Sequence, residues 1–182
     1  MINLDNIQLV LFDFDDTLCI HKDHRSSEVK DLQYNINVLR IGADTWNDCD
    51  TNPHMKLFMD ICADKYIRMG LISATMGYIH SQAKHDWVLS KYGIDLENYC
   101  VGTFENKLKI MQAISLAFDI PKNRILIVDD LYENLVRAAN DGFQACNPME
   151  VVNYITTVVT TPDFEPSEEA EYELYAPFED WE

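Results

Sequence analysis

The sequence predicts an α/β domain in three layers, a parallel sheet covered by helices on both faces. Three observations carry that prediction. Short apolar runs of strand length recur around residues 9–12, 71–72 and 125–128, and each runs into carboxylates or hydroxyls. Segments with apolar residues at helical spacing separate them, the β-α-β-α rhythm of a parallel sheet. With 182 residues, 47% of them hydrophobic, the chain can bury one full core without metal or disulfide staples.

The first strand is the stretch around which the others are organised. Residues 7–18 read IQLVLFDFDDTL, in which Leu9, Val10, Leu11 and Phe12 suit a strand buried on both faces and Asp13, Asp15 and Asp16 follow at once. Strand alternation sends Asp13 and Asp15 to one side and Phe14 to the other, so two acids are expected to converge on one small volume, with Thr17 at the turn. Carboxylates that close repel unless a cation sits between them or one takes up a proton.

Residues 19–54 read as an irregular insertion, a small cap over the acids, with a short hairpin expected around 34–41. Cys19, His21 and His24 have a spacing that suits a metal ion, but nothing else completes a site, and a solvated loop is expected. His21, Lys22, His24 and Arg25 would offer the rim its only positive charge. A helix is expected over 55–69, with Met55, Phe58, Met59, Ile61, Cys62 and Tyr66 on its stripe and Gly70 closing it. A strand over 71–75 ends in Ser73 and Thr75, a helix over 79–92 stops at Gly93, and a third strand covers 99–101.

The helix over 107–118 carries Lys107, Met111, Ile114 and Phe118 on one stripe, so Lys107 heads the buried face and wants a negative partner, whereas Lys109 lies opposite. The strand over 124–128 delivers Asp129 and Asp130, the second place where a strand end presents acids. In an open parallel sheet that edge is where ligands bind. A helix over 133–140 with Gly142 as its stop and a strand over 143–146 complete the layer. Val151, Val152, Tyr154, Ile155, Val158 and Val159 combine helical spacing with residues that prefer strands, and both types stay open there.

The formal charge of −17 argues against a generic nucleic-acid-binding face. No run approaches the roughly 20 apolar residues of a membrane span. The start MINLDNIQ lacks the basic and apolar regions of a signal peptide, and the five scattered cysteines suit reduced thiols, so the expectation is a cytoplasmic chain without a disulfide framework. Arg137 is the last basic residue, and nine of the final twenty positions are acidic. Residues 1–160 are therefore expected to form the domain and 161–182 an acidic aromatic tail.

Collected at the strand ends, Asp13, Asp15, Ser73, Asp129 and Asp130, with Lys107 on the helix before the last pair, suit a hard cation such as Mg²⁺ and a phosphate. Catalysis of phosphoryl transfer is mostly positioning and charge neutralisation. Asp13 is expected to attack phosphorus and form an aspartyl-phosphate. Asp15 is expected to protonate the departing oxygen and then take the proton of the hydrolytic water.

These residues resemble the four motifs of the haloacid-dehalogenase-like (HAD) superfamily over about residues 7–147. D-x-D-x-T stands as Asp13-Phe14-Asp15-Asp16-Thr17, followed by the hydroxyl Ser73, the lysine Lys107 and the acidic pair Asp129-Asp130. The resemblance implies a Rossmann-like sheet of strand order 5-4-1-2-3 and a phosphatase. It also implies Mg²⁺ held by the Asp13 carboxylate, the Asp15 backbone carbonyl and a fourth-motif acid, with Asp130 matching the direct ligand and Asp129 behind it. Asn134 stands where many relatives carry a further Asp. The layout looks most like the small-cap branch typified by magnesium-dependent phosphatase 1.

A receiver domain joins similar groups, but there the lysine comes last, whereas Lys107 precedes Asp129. The alternative from another class is a catalytically silent binding module of the same fold whose acidic tail engages a partner protein. The expected partner of the enzyme is a phosphorylated substrate, small molecule or phosphoprotein, with no membrane and no generic nucleic acid.

Overall fold

Helical and extended segments alternate as the periodicity predicts. The computed structural model describes residues 2–20, 46, 49–75, 77–100 and 107–159. Five strands, β1 (Leu9–Phe12), β4 (Arg68–Leu71), β5 (Glu97–Asn98), β6 (Ile125–Val128) and β7 (Gln144–Cys146), form one sheet in the order β5-β4-β1-β6-β7. Every neighbouring pair is parallel. Counted along the chain, this is the expected order 5-4-1-2-3. A separate antiparallel pair, β2 (Cys19–Ile20) and β3 (Asp50–Thr51), closes the base of the insertion.

The central strand β1 is fully buried, and its alternation divides the core. Val10 and Phe12 face Phe58 and Met59 of α1 (Pro53–Asp64), Trp87 of α2 (Tyr78–Tyr92) and Ile155 of α5 (Pro148–Val159). Leu9 and Leu11 face Met111 and Ile114 of α3 (Lys107–Ala117) and Ala138 of α4 (Tyr132–Asn140). Each of these β1 side chains contributes on the order of 1.5–3 kcal/mol by leaving water, which suits a strand made of apolar residues alone. No helix among the described residues is long and apolar enough to cross a membrane. The five cysteines form no disulfide.

The boundaries between α1 and β4 differ from the expected ones. The helix ends at Asp64, and Tyr66, at φ 56°, takes the left-handed position that closes it. Tyr66 N–H bonds the Ala63 carbonyl and Ile67 N–H bonds that of Cys62, the paired bonds of a Schellman motif. Gly70 therefore lies inside β4, where a Cβ would meet the Tyr99 ring at 2.6 Å and Leu11 at 3.1 Å. The third strand also falls earlier than expected, at Glu97–Asn98, because Gly70 and Leu71 pair with those residues and leave Tyr99 to pack over the glycine.

The open segment is helical. Asn147 and Glu150 cap α5 reciprocally: Asn147 N–H bonds the Glu150 carboxylate and Glu150 N–H the Asn147 side chain, both at 2.9 Å. Val151 and Ile155 then bury against the core, so packing overrides the strand preference of the residues. Across the molecule, Tyr92 hydroxyl donates to the Leu18 carbonyl at 2.6 Å and accepts from Asn52 N–H at 2.9 Å, which pins both ends of the insertion. The expected hairpin at 34–41 and the tail at 161–182 lie outside the described residues.

Gly70→Ala is expected to destabilise the fold by about 1–3 kcal/mol, because the added methyl must displace the Tyr99 ring. Urea unfolding checks this, and the loss should shrink in a Tyr99→Ala background.

Candidate active site

The C-terminal edge of the sheet collects the expected residues. Asp13 leaves the end of β1, and its N–H bonds the Val128 carbonyl at 2.9 Å, so the ends of β1 and β6 are held in register. Asp129 and Asp130 leave β6, and one carboxylate oxygen from each of Asp13, Asp129 and Asp130 lies within 4.8 Å of the others. Lys107, the first residue of α3, places Nζ at 2.7 Å from both Asp13 Oδ1 and Asp129 Oδ2. The lysine predicted to need a negative partner has two.

Burial and crowding set the protonation of this cluster. Burial pushes the Asp13 carboxyl up to about 6 against the pull of Lys107, and the charges of Asp129 and Asp15 push the same way. Asp130 stands at the exposed mouth, yet its carboxyl is pushed up to about 7, first by the protein around it and then by Asp13, Asp129 and Asp16. Burial opposes the Lys107 charge, but Asp13 and Asp129 outweigh it and raise its pKa. Asp129 is fully buried and its oxygens are occupied by Lys107, by Leu131 N–H at 2.9 Å and by Asn134 Nδ2 at 3.1 and 3.0 Å. Asn134 thus holds Asp129 in place. The donor set fits a hard divalent cation: hard carboxylate oxygens close together, two of them reluctant to ionise without a positive partner.

Asp15 departs from the strand-alternation reading. The strand stops at Phe12, and the chain then turns tightly, with Leu18 and Cys19 N–H both on the Phe14 carbonyl and Asp16 at φ 53°. The Asp15 carboxylate therefore stands apart from the three-acid cluster and pairs with Lys84, whose Nζ lies 2.6 Å from Oδ2. The same Nζ donates to Ser73 Oγ at 2.8 Å and to the Ala74 carbonyl at 3.2 Å. Ser73, just past β4, is thereby joined to Asp15. Thr17 and Ser73 are both buried.

Lys84 was not among the residues expected at the site. Its signal is in the sequence: His80, Ala83, Lys84, Trp87 and Val88 follow helical spacing on α2, and all are buried. A lysine in the middle of an apolar stripe has the same meaning as one at its head. His80, also on that stripe, stacks on Trp46 at 5.3 Å, and burial, with Lys84 beside it, lowers its pKa to about 4. Cys19 is buried in β2, whereas His21, Lys22, His24 and Arg25 lie outside the described residues.

The raised Asp130 carboxyl has a consequence for stability. A group whose folded pKa lies above its unfolded value stabilises the fold at low pH, and that contribution is lost as pH rises, here between about 4 and 7. Asp130→Asn is expected to stabilise the metal-free chain at pH 8 by about 1 kcal/mol, a figure reduced for the group's exposure. At pH 4 the variant should match the native chain. Urea unfolding in the presence of a chelator at the two pH values checks both statements.

No family model and no curated protein matches the sequence. Solved structures do. A HAD family enzyme from Bacteroides thetaiotaomicron, in complex with magnesium and inorganic phosphate, is similar at TM-score 0.52 and 15% identity, over 78% of this chain and 93% of that one. A haloacid dehalogenase-like family hydrolase from Xanthomonas campestris is similar at TM-score 0.56 and 14% identity, over 84% and 91%. A predicted HAD-like family hydrolase from Porphyromonas gingivalis is similar at TM-score 0.52 and 12% identity, over 85% and 98%. With the strand order and the parallel sheet, these likenesses show that the chain has the HAD-like fold.

Proposed function

We propose that this chain is a magnesium-dependent phosphomonoester hydrolase that works through an aspartyl-phosphate on Asp13. The observation that carries the reading is the arrangement of Asp13: buried at the end of the central strand, 2.7 Å from Lys107 and beside two further acids, with Asp15 and Ser73 joined through Lys84 at the same sheet edge. The Bacteroides enzyme of the same fold, crystallised with magnesium and phosphate, supports it.

The Asp13 and Asp130 carboxylates and the Asp15 backbone carbonyl would hold Mg²⁺, with Asp129 fixing Lys107 behind them. The bound ion supplies positive charge to the phosphoryl oxygens and keeps the acids ionised. Asp13 attacks phosphorus through one carboxylate oxygen as the bond from phosphorus to the ester oxygen breaks. Asp15 gives that oxygen its proton. Water then attacks the phosphorus, Asp15 takes the water's proton, and the bond from phosphorus to Asp13 breaks, releasing phosphate and restoring both acids. Lys107 and the Ser73 hydroxyl stabilise the charge that builds on the phosphoryl oxygens.

Phosphate release from an aryl phosphate and a panel of phosphorylated metabolites and peptides tests the reading. Release is expected to need Mg²⁺ and to fall on the order of 10³-fold or more in Asp13→Asn. Mg²⁺ at 100 times its Kd should stabilise the native chain by about 2.7 kcal/mol, and Asp130→Asn should remove that gain. A folded chain that turns over no member of the panel would overturn the reading in favour of a silent binding module of the same fold.

A further inference from the structure

We propose that Lys84 is a positioning residue that aims Asp15 at the leaving group, an inference that rests on the general-acid role proposed for Asp15. Three elements meet at its ammonium group. Lys84 projects from the middle of α2, Asp15 from the turn after β1, and Ser73 and Ala74 from the end of β4. The Nζ lies 2.6 Å from Asp15 Oδ2, 2.8 Å from Ser73 Oγ and 3.2 Å from the Ala74 carbonyl, so each of its three hydrogens has an acceptor. The Phe14 ring, its centroid 4.8 Å from Nζ, closes the remaining side.

Packing gives no reason for a lysine at this position. Its side chain is fully buried among Phe14, Trp46 and the neighbouring stripe of α2, where an apolar residue of the same length would fill the space without the cost of desolvating a charge. What the ammonium adds is direction. Its bond to Oδ2 constrains the rotation of the Asp15 carboxylate, which is 36% exposed. Its bond to Ser73 Oγ uses the hydroxyl as an acceptor, which frees the hydroxyl hydrogen to donate outward to a phosphoryl oxygen. One cation therefore sets the relative placement of the group that protonates the leaving oxygen and the group that holds the phosphoryl. Lys107, bound to Asp13 and Asp129, serves the other half of the site.

The test uses the full chain and a series of phosphate monoesters from nitrophenyl, a good leaving group, through phenyl to alkyl, a poor one. Poor leaving groups depend on protonation and good ones do not. Lys84→Met, which keeps the length of the side chain, is expected to lower kcat on the alkyl ester roughly 100-fold and on the nitrophenyl ester less than about 10-fold. In an Asp15→Asn background the same substitution should add little, because the two residues act as one unit. Lys84→Gln, which retains an amide donor, should recover part of the loss. A uniform loss across the series, or multiplying losses in the double variant, would overturn the inference, as would failure of both Lys84 variants to fold by circular dichroism. If Asp15→Asn itself shows no dependence on the leaving group, the general-acid reading fails first and the role of Lys84 with it.

Discussion

Repulsion among carboxylates is the constraint on which this structure turns. The ends of β1 and β6 are adjacent in the sheet, so Asp13, Asp129 and Asp130 are forced together wherever the fold forms. Left alone, such a group would take up protons or push the strand ends apart. Two lysines answer it, each from a different helix. Lys107 stands between Asp13 and Asp129, and Lys84 draws the Asp15 carboxylate away from the cluster toward Ser73.

The layers of the fold exist to deliver those two charges. Because α3 packs on the Leu9–Leu11 face of the sheet and α2 on the Val10–Phe12 face, their lysines reach the same strand ends from opposite sides. A buried ammonium is stable there only when its hydrogens are satisfied: Lys84 meets that condition through a carboxylate, a hydroxyl and a backbone carbonyl, and Lys107 is held between two carboxylates. Asn134 and the Leu131 N–H then fix Asp129, so that the position of Lys107 is itself held from behind. Asp130 stands at the exposed mouth, where the high carboxyl pKa marks the place that favours a cation.

The displaced element boundaries share one cause. Gly70 was expected to end a helix, because glycine after an apolar helical stripe usually does, yet Tyr66 takes the left-handed position and Gly70 serves instead as the floor under the Tyr99 ring. The sequence contains both residues, but the choice between them depends on Tyr99, nearly thirty positions away, and on which residues of β4 and β5 pair. Residues 151–159 show the same dependence. Their composition favours a strand, and a helix forms because Val151 and Ile155 find a buried face to fill and Asn147 caps the turn.

The sequence by itself determined the sheet, the strand ends that carry acids and the place of Lys107, because each of these follows from local pattern: apolar runs, period and the residue that heads a stripe. Strand order follows from the resemblance carried by four short motifs, and the parallel sheet agrees with it. Only the tertiary structure decided the partners. Whether Asp15 joins Asp13 or turns to another cation depends on a tight turn at Asp16 and on a helix packed against the far face, neither of which periodicity describes. Lys84 was legible as a charge on an apolar stripe, but its meaning lay 69 positions away at Asp15, and only folding brings the two together.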